Sequence, residues 1–325
     1  MSEVRIDALS GESVIVAPTR SERPHAHRTD EPMTRGCPFC PGHEDETPPA
    51  VLELPLKGSS LPWFVRVFAN LYPIVSSPSQ GRISERSAGA RPAGGVHEVI
   101  VETPFHEQEI AQRTPEELKL TLLAYRERLS SLSATAGIRY VTLFRNQGAG
   151  AGASLAHPHS QAVALSYLPK DVARTVQRWR RHHSRTGRCL LCDELEHERR
   201  AQSRIVLEQD GFVLYVPRGA VMAGEMVLAP SRHEACFVGA GEETLSRMSV
   251  ILLDALGRLN TAFDEPAFNL VLQSWPRARR ADEALHWYLR MIPRLAVLGG
   301  FELATGDFVS TLSPEEAAVR YRAAE

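Results

Sequence analysis

Five consecutive residues, His157-Pro158-His159-Ser160-Gln161, hold the side chains best suited to covalent chemistry on phosphorus. Alternate side chains of a strand share a face, which predicts His157, His159 and Gln161 side by side. With His157 fixed on a metal, His159 is held as a preorganised nucleophile or base. Gln161 can then hydrogen-bond a phosphoryl oxygen without gaining or losing a proton. The run just before, Asn146 to Ser154, contains Gly148, Gly150 and Gly152. Glycines let backbone approach a bulky anion and leave N–H groups to point at it. Such a loop alone is often only a flexible turn, and HPHSQ alone can be an ordinary strand with a metal-binding His. Together they read as a phosphate site.

Four of the five cysteines form two Cys-x-x-Cys pairs, Cys37/Cys40 and Cys189/Cys192, with Cys236 left over. In a reducing compartment such pairs serve as metal ligands or redox centres rather than structural disulfides. Zinc takes four tetrahedral ligands from Cys and His, and each pair here is followed by two histidines. Cys37, Cys40, His106 and His157 make one expected Cys2His2 site, and Cys189, Cys192, His233 and His286 a second. Neither leaves a position open for water, so both metals are expected to hold structure rather than react. His25, His27, His43, His97, His182, His183 and His197 lack a comparable arrangement and stay unassigned.

The elements that must position these groups occur twice in the same order: Cys pair, apolar strand ending near a His, helix, strand, second His. His157 follows His106 by 51 residues and His286 follows His233 by 53. Thr114-Pro115-Glu116-Glu117 predicts a capped helix start. Apolar spacing carries that helix to about Ala134, and a matching one spans Glu242–Leu259. YVTLFRN and FNLVLQ are the paired strands that follow, HWYLRMIPRL a strand stopped by Pro293, and Ser313 the start of a short last helix. Long strands with single helices, and no βαβ alternation, predict an α+β fold with antiparallel sheets. The repeat predicts two pseudo-equivalent half-barrels with flanking helices, residues 1–170 and 171–325, joined near 165–188. The basic run RWRRHHSRTGR at 178–188 is read as a solvated helix end and linker.

A net charge of −2 gives no basic field for nucleic acid or anionic membrane. No apolar stretch approaches the roughly 18 residues of a membrane span, and the N-terminus lacks a signal-peptide pattern, so a cytoplasmic protein is expected. Only three of the 37 basic residues are lysine, which assigns phosphate contacts to arginine.

HPHSQ, the CPFC pair and the Asn146–Ser154 loop resemble the galactose-1-phosphate uridylyltransferase family of the histidine-triad superfamily. The resemblance runs from VIVAPTRSERP to HWYLRMIPRL and GGFELATG, nearly the whole chain. It implies two histidine-triad-like halves, His159 as the residue that carries the nucleotidyl group, and zinc on Cys37, Cys40, His106 and His157. It also implies Gln161 on the phosphoryl oxygens, and Arg20, Arg23, Asn70, Asn146, Gly152, Ser154 and Glu302 at the substrate. A homodimer whose partner subunit completes the sugar site is implied too. NLYP, the HSQ ending and GGFELATG are similar to ADP-glucose phosphorylase relatives, which move AMP to phosphate. Three functions follow: UMP transfer between a UDP-sugar and a hexose 1-phosphate, AMP transfer from an ADP-sugar to phosphate, or, in another class, a zinc-stabilised nucleotide-binding protein without turnover.

Overall fold

The computed structural model describes residues 2–6, 13–17, 36–76, 91–275 and 282–324. Arg20 and Arg23 lie outside them, as does most of the Pro, Ser and Gly-rich stretch that lengthens the first half. In chain order the strands are β1 (Glu3–Ile6), β2 (Ser13–Val16), β3 (Ala50–Leu54), β4 (Val65–Ala69), β5 (Arg91–Pro92), β6 (Gly95–Val101), β7 (Tyr140–Gln147) and β8 (His159–Leu165). The second half adds β9 (Ile205–Gln209), β10 (Phe212–Tyr215), β11 (Met226–Pro230), β12 (Phe268–Gln273) and β13 (Tyr288–Pro293). The helices are α1 (Pro115–Ala134), α2 (Lys170–Thr186), α3 (Leu190–Ala201), α4 (Glu242–Phe263), α5 (Gly300–Thr305) and α6 (Pro314–Ala323).

Ten strands form one antiparallel sheet in the order β3-β4-β6-β8-β7-β12-β13-β11-β10-β9, and β2-β1-β5 form a small second one. The order is palindromic in role: each half runs outward from a central strand, β7 or β12. Those two pair directly, Asn146 opposite Asn269 and Phe144 opposite Val271, so both halves share one open sheet. The α+β fold with antiparallel sheets is therefore present, and the strands of the two repeats join in one open sheet along β7 and β12.

The first helix starts where the sequence places it. Thr114 accepts from the Glu117 N–H, Glu117 accepts from the Thr114 N–H, and Pro115 occupies the first turn, where its missing donor costs nothing. The same box at Ser313 and Glu316 starts α6. α4 runs four residues past Leu259 and stops at Asp264 in the left-handed region, φ 56°. Helices α1 and α4 cover one sheet face, where Leu118, Leu122, Ile251, Leu252 and Leu256 meet Ala162, Ala164, Leu270 and Leu289. On the opposite face of the second half, α2 and α3 pack Trp179, Leu191 and Leu195 on Val213, Val227 and Trp275. The basic run ends α2 at Gly187, and its Arg180, His182 and Arg188 pair with Asp282, Asp193 and Glu196. Among the described residues no helix is long and apolar enough to cross a membrane.

Candidate active site and metal centres

Strand β8 begins at His159, not at His157. Pro158 has no N–H for a ladder, and its carbonyl accepts from the Glu102 N–H instead. His157 therefore stands just outside the sheet, while His159 and Gln161 share one face of β8. The even residues, Ser160, Ala162 and Ala164, point the other way toward α1.

His157 is completely buried, and its Nε2–H donates to the Thr103 carbonyl at 2.8 Å. Its unprotonated Nδ1 then faces Cys37 Sγ at 3.7 Å and Cys40 Sγ at 3.5 Å, and Cys40 lies 3.5 Å from His106 Nδ1. Tetrahedral zinc with ordinary Zn–S and Zn–N bonds sets such S···N edges at about 3.6 Å. In the second cluster Cys189 and Cys192 stand 4.0 and 3.6 Å from His286 Nδ1, and Cys192 lies 3.6 Å from His233 Nδ1. In both clusters all four donor atoms fall within 4.8 Å of one another. Burial pulls His157 down to about 4 and pushes the Cys37 thiol up to about 12. A neutral imidazole suits ligation, while a thiolate at that depth needs a cation beside it. Both donor sets therefore fit zinc and leave no place for substrate.

The nucleophile candidate is oriented by backbone. His159 Nδ1–H donates to the His157 carbonyl at 2.8 Å, which makes Nε2 the unprotonated nitrogen of the neutral ring. His159 and Gln161 line a cleft of about 410 Å³ with Phe39, Phe68, Asn70, Leu71, Tyr72 and Ser154. Phe39, inside the CPFC turn, sets its ring edge-on to His159 at 5.4 Å and to Phe68 at 5.6 Å. An aromatic wall next to polar groups at one end suits a nucleoside joined to a phosphate.

Of the other expected substrate residues, Asn70 and Ser154 line this cleft. Asn146, near the end of β7, and Gly152, on the loop that follows, are joined: Asn146 Nδ2 donates to the Gly152 carbonyl at 3.3 Å, and Asn269 Nδ2 donates to Asn146 Oδ1 at 2.9 Å. Gly148 and Gly152 have φ of 77° and 85°, the left-handed conformation that favours glycine. Glu302 is not at the cleft of its own chain. It is half-buried on α5 and accepts from the Gly299 N–H at 2.9 Å.

Two residues at the site escaped sequence reasoning. His97 Nε2 lies 2.9 Å from Gln161 Oε1, although His97 precedes Gln161 by 64 residues. The β6–β8 register puts His97 opposite Val163, two pairs along from Gln161 and on the same face. Glu102 is completely buried beneath β8 and takes contacts from Ser160, Tyr125, Arg145 and Arg113. Alternation in HEVIVE placed both on a strand; no spacing rule says what each meets on the next one.

The second half carries different side chains at the corresponding positions. Taking His286 as the counterpart of His157, Tyr288 stands in the place of His159 and Arg290 in that of Gln161. Tyr288 stacks on Trp179 at 6.1 Å with an interplanar angle of 7°, and Trp275 packs on Trp179 at 4.9 Å. Arg290 is held by Glu225 at 2.6 Å. The face that forms a cleft in the first half is filled by α2 and its aromatic partners in the second.

Residues 1–169 match the family described as galactose-1-phosphate uridyl transferase, N-terminal domain. An ADP-glucose phosphorylase from Arabidopsis thaliana is 28% identical over 326 residues, covering 97% of this chain and 91% of its own. A galactose-1-phosphate uridylyltransferase from Thermotoga maritima is 26% identical over 335 residues, covering 100% and 99%. The crystal structure of an Arabidopsis ADP-glucose phosphorylase with bound ADP-glucose superposes with a TM-score of 0.79 at 29% identity, over 99% of this chain and 98% of that one. With a family match over more than half its length and relatives aligned end to end, this chain belongs to the galactose-1-phosphate uridylyltransferase family and is a nucleotidyltransferase.

Proposed function

We propose that this enzyme moves UMP from a UDP-sugar to a hexose 1-phosphate in two displacements through a nucleotidyl-His159. The observation that carries this is the His159 tautomer: Nδ1–H is committed to the His157 carbonyl, so Nε2 is the unprotonated nitrogen of a ring that lines the cleft. In the first step Nε2 attacks the α-phosphorus, an N–P bond forms, and the bond to the bridging oxygen breaks. The sugar 1-phosphate leaves with that electron pair. No proton transfer is needed, because the leaving group is itself a phosphate. In the second step an oxygen of the acceptor phosphate attacks the same phosphorus and the N–P bond breaks. The His157 carbonyl faces the imidazole N–H throughout and stabilises the positive charge the ring carries while bonded to phosphorus. Positioning and charge neutralisation supply most of the acceleration.

AMP transfer from an ADP-sugar to phosphate is the second reading. It is favoured by the relative with bound ADP-glucose and by Leu71 after Asn70, an exposed apolar side chain in the NLYP run. Intact mass after mixing the enzyme separately with UDP-glucose, ADP-glucose and a GDP-sugar separates them. A gain of one UMP is the expected outcome, and a gain of AMP alone would move the assignment to phosphorolysis.

Zinc on both Cys2His2 clusters is part of this proposal. Metal analysis of the purified enzyme should give two zinc ions per chain, falling to one in Cys37→Ser. An unchanged stoichiometry in that variant would remove the first cluster as a ligand set. When bound, the ion fixes the His157 segment and so the carbonyl that orients His159.

A homodimer is the third element. The segment around α5 exposes Val297 (94%), Phe301 (55%) and Leu303 (78%), a contiguous run of apolar side chains beside Glu302. Packed on a second copy, this segment can bring Glu302 to the partner's cleft. Light scattering should give twice the chain mass for the native enzyme and a shift toward monomer in Leu303→Asp. A native monomer would exclude this arrangement.

A further inference from the structure

We propose that His97 is a positioning residue that decides which end of the Gln161 amide faces the transferring phosphoryl group. The inference rests on the nucleotidyl-His159 reading. His97 is buried on β6, 4% exposed, and both of its ring nitrogens have neighbours that constrain them. The Ile74 backbone N–H donates to Nδ1 at 3.2 Å. A backbone N–H cannot turn round, so Nδ1 is the unprotonated nitrogen of the neutral ring and Nε2 carries the hydrogen. Nε2 lies 2.9 Å from the Gln161 side chain, and only the oxygen of that amide can accept a hydrogen. Gln161 is therefore held with Oε1 on His97 and its NH2 group left for the cleft that Gln161 lines.

The orientation matters because an amide has a donor end and an acceptor end of nearly the same shape. Turned the other way, Gln161 would present a carbonyl oxygen to anionic phosphoryl oxygens, a repulsion in place of a hydrogen bond. Asn70 is fixed in the same sense. Its Oδ1 accepts from the Tyr72 N–H at 2.8 Å, and its Nδ2 stands 3.2 Å from the protonated His97 Nε2, to which it cannot donate. Its NH2 hydrogens are thus also left for the cleft. One backbone N–H at Ile74, acting through one imidazole, so sets the donor at Gln161 that meets the charge developing on phosphorus. A glutamine chosen for lacking a titratable proton needs such a device, since nothing in its own charge selects its orientation.

The test is a single-turnover measurement of nucleotidyl-enzyme formation, with the donor that the native enzyme accepts, in four variants of the full chain. His97→Asn keeps an acceptor near the Nδ1 position for Ile74 but is too short to reach Gln161. His97→Gln places an amide NH2 near the Nε2 position and can donate. Adduct formation is expected to slow about 10- to 100-fold in His97→Asn, with donor Kd changed less than about threefold, and to recover most of that loss in His97→Gln. Gln161→Ala and the double variant His97→Asn/Gln161→Ala are expected to be equally slow, because the two residues act as one unit. Native-like melting checks folding, and His97→Leu repeats the donor-free case should the Asn variant not fold. A native adduct rate in His97→Asn, or losses that multiply in the double variant, would overturn the assignment while leaving the covalent mechanism standing. A native enzyme that forms no adduct with any donor would instead remove the covalent reading, and this one with it.

Discussion

Replacing His159 with Ala should abolish the nucleotidyl adduct and lower turnover by about 10^4-fold or more, with nucleotide-sugar affinity changed far less. The cleft explains the split. Phe39, Phe68 and Asn70 line it independently of the imidazole, so binding survives when the nucleophile is removed. His159 also makes no metal contact in the first cluster, whose donors are Cys37, Cys40, His106 and His157. The variant should therefore keep its zinc and its fold. Quench-flow with intact-mass detection, alongside calorimetric binding, reads both halves of the expectation. Turnover within tenfold of native in a folded His159→Ala would sink the covalent mechanism, since no other histidine lines the cleft among the described residues.

The second large effect is on stability and lies under the same strand. Glu102 is wholly buried, receives Tyr125 Oη at 2.6 Å and the Ser160 hydroxyl, and pairs with Arg145 and with Arg113 at 3.1 Å. Burial alone would raise this carboxyl. The Arg145 and Arg113 guanidiniums, with the Ser160 and Tyr125 hydroxyls, outweigh it and hold the group at about 2. Glu102→Ala leaves two guanidiniums buried around an emptied site and should cost about 3–5 kcal/mol, seen as a lower urea midpoint at unchanged slope. The sign with pH follows from the depressed value. The contribution is fully present above the unfolded carboxylate range, roughly pH 5, and is lost as pH falls from there toward 2. Native stability should therefore decline over that acid window, and the decline should be shallower in Glu102→Gln. An Ala variant within about 1 kcal/mol of native would mean that solvent reaches the two arginines once the carboxylate is gone.

This network also joins the parts of the site. Glu102 N–H donates to the Pro158 carbonyl, between His157 and His159. Its neighbour Thr103 supplies the carbonyl that fixes the His157 tautomer. Arg145 reaches Gln147 at the start of the glycine loop. One buried carboxylate thus ties the ends of β6, β7 and β8 together, so damage there should slow chemistry as well as lower stability.

The two halves show how much such surroundings matter. Both keep a Cys-x-x-Cys pair and two histidines in the same order, and both bring the four donors together. Only the first keeps an imidazole and an amide on the next strand above an open cleft. In the second half Tyr288 and Arg290 take those positions, and Trp179 stacks on Tyr288.

By itself the sequence determined the features whose causes are short-range. Capping boxes at Thr114 and Ser313 mark helix starts because the hydrogen bonds that make them span three residues. Both ligand sets were legible because a Cys-x-x-Cys turn is local and its paired histidines recur at matching intervals in the two halves. His159 and Gln161 were legible because alternation along one strand puts them on one face. Tertiary structure alone decided what lies across from that face. His97 meets Gln161 through a register between strands far apart in sequence, and no spacing within either strand specifies that diagonal. Glu102 draws its partners from β7, β8, α1 and the turn before α1, so its low pKa exists only after all four have packed. The placing of Glu302 away from its own cleft, and the pairing of β7 with β12 that fuses the halves, depend in the same way on long-range packing, which no local pattern records.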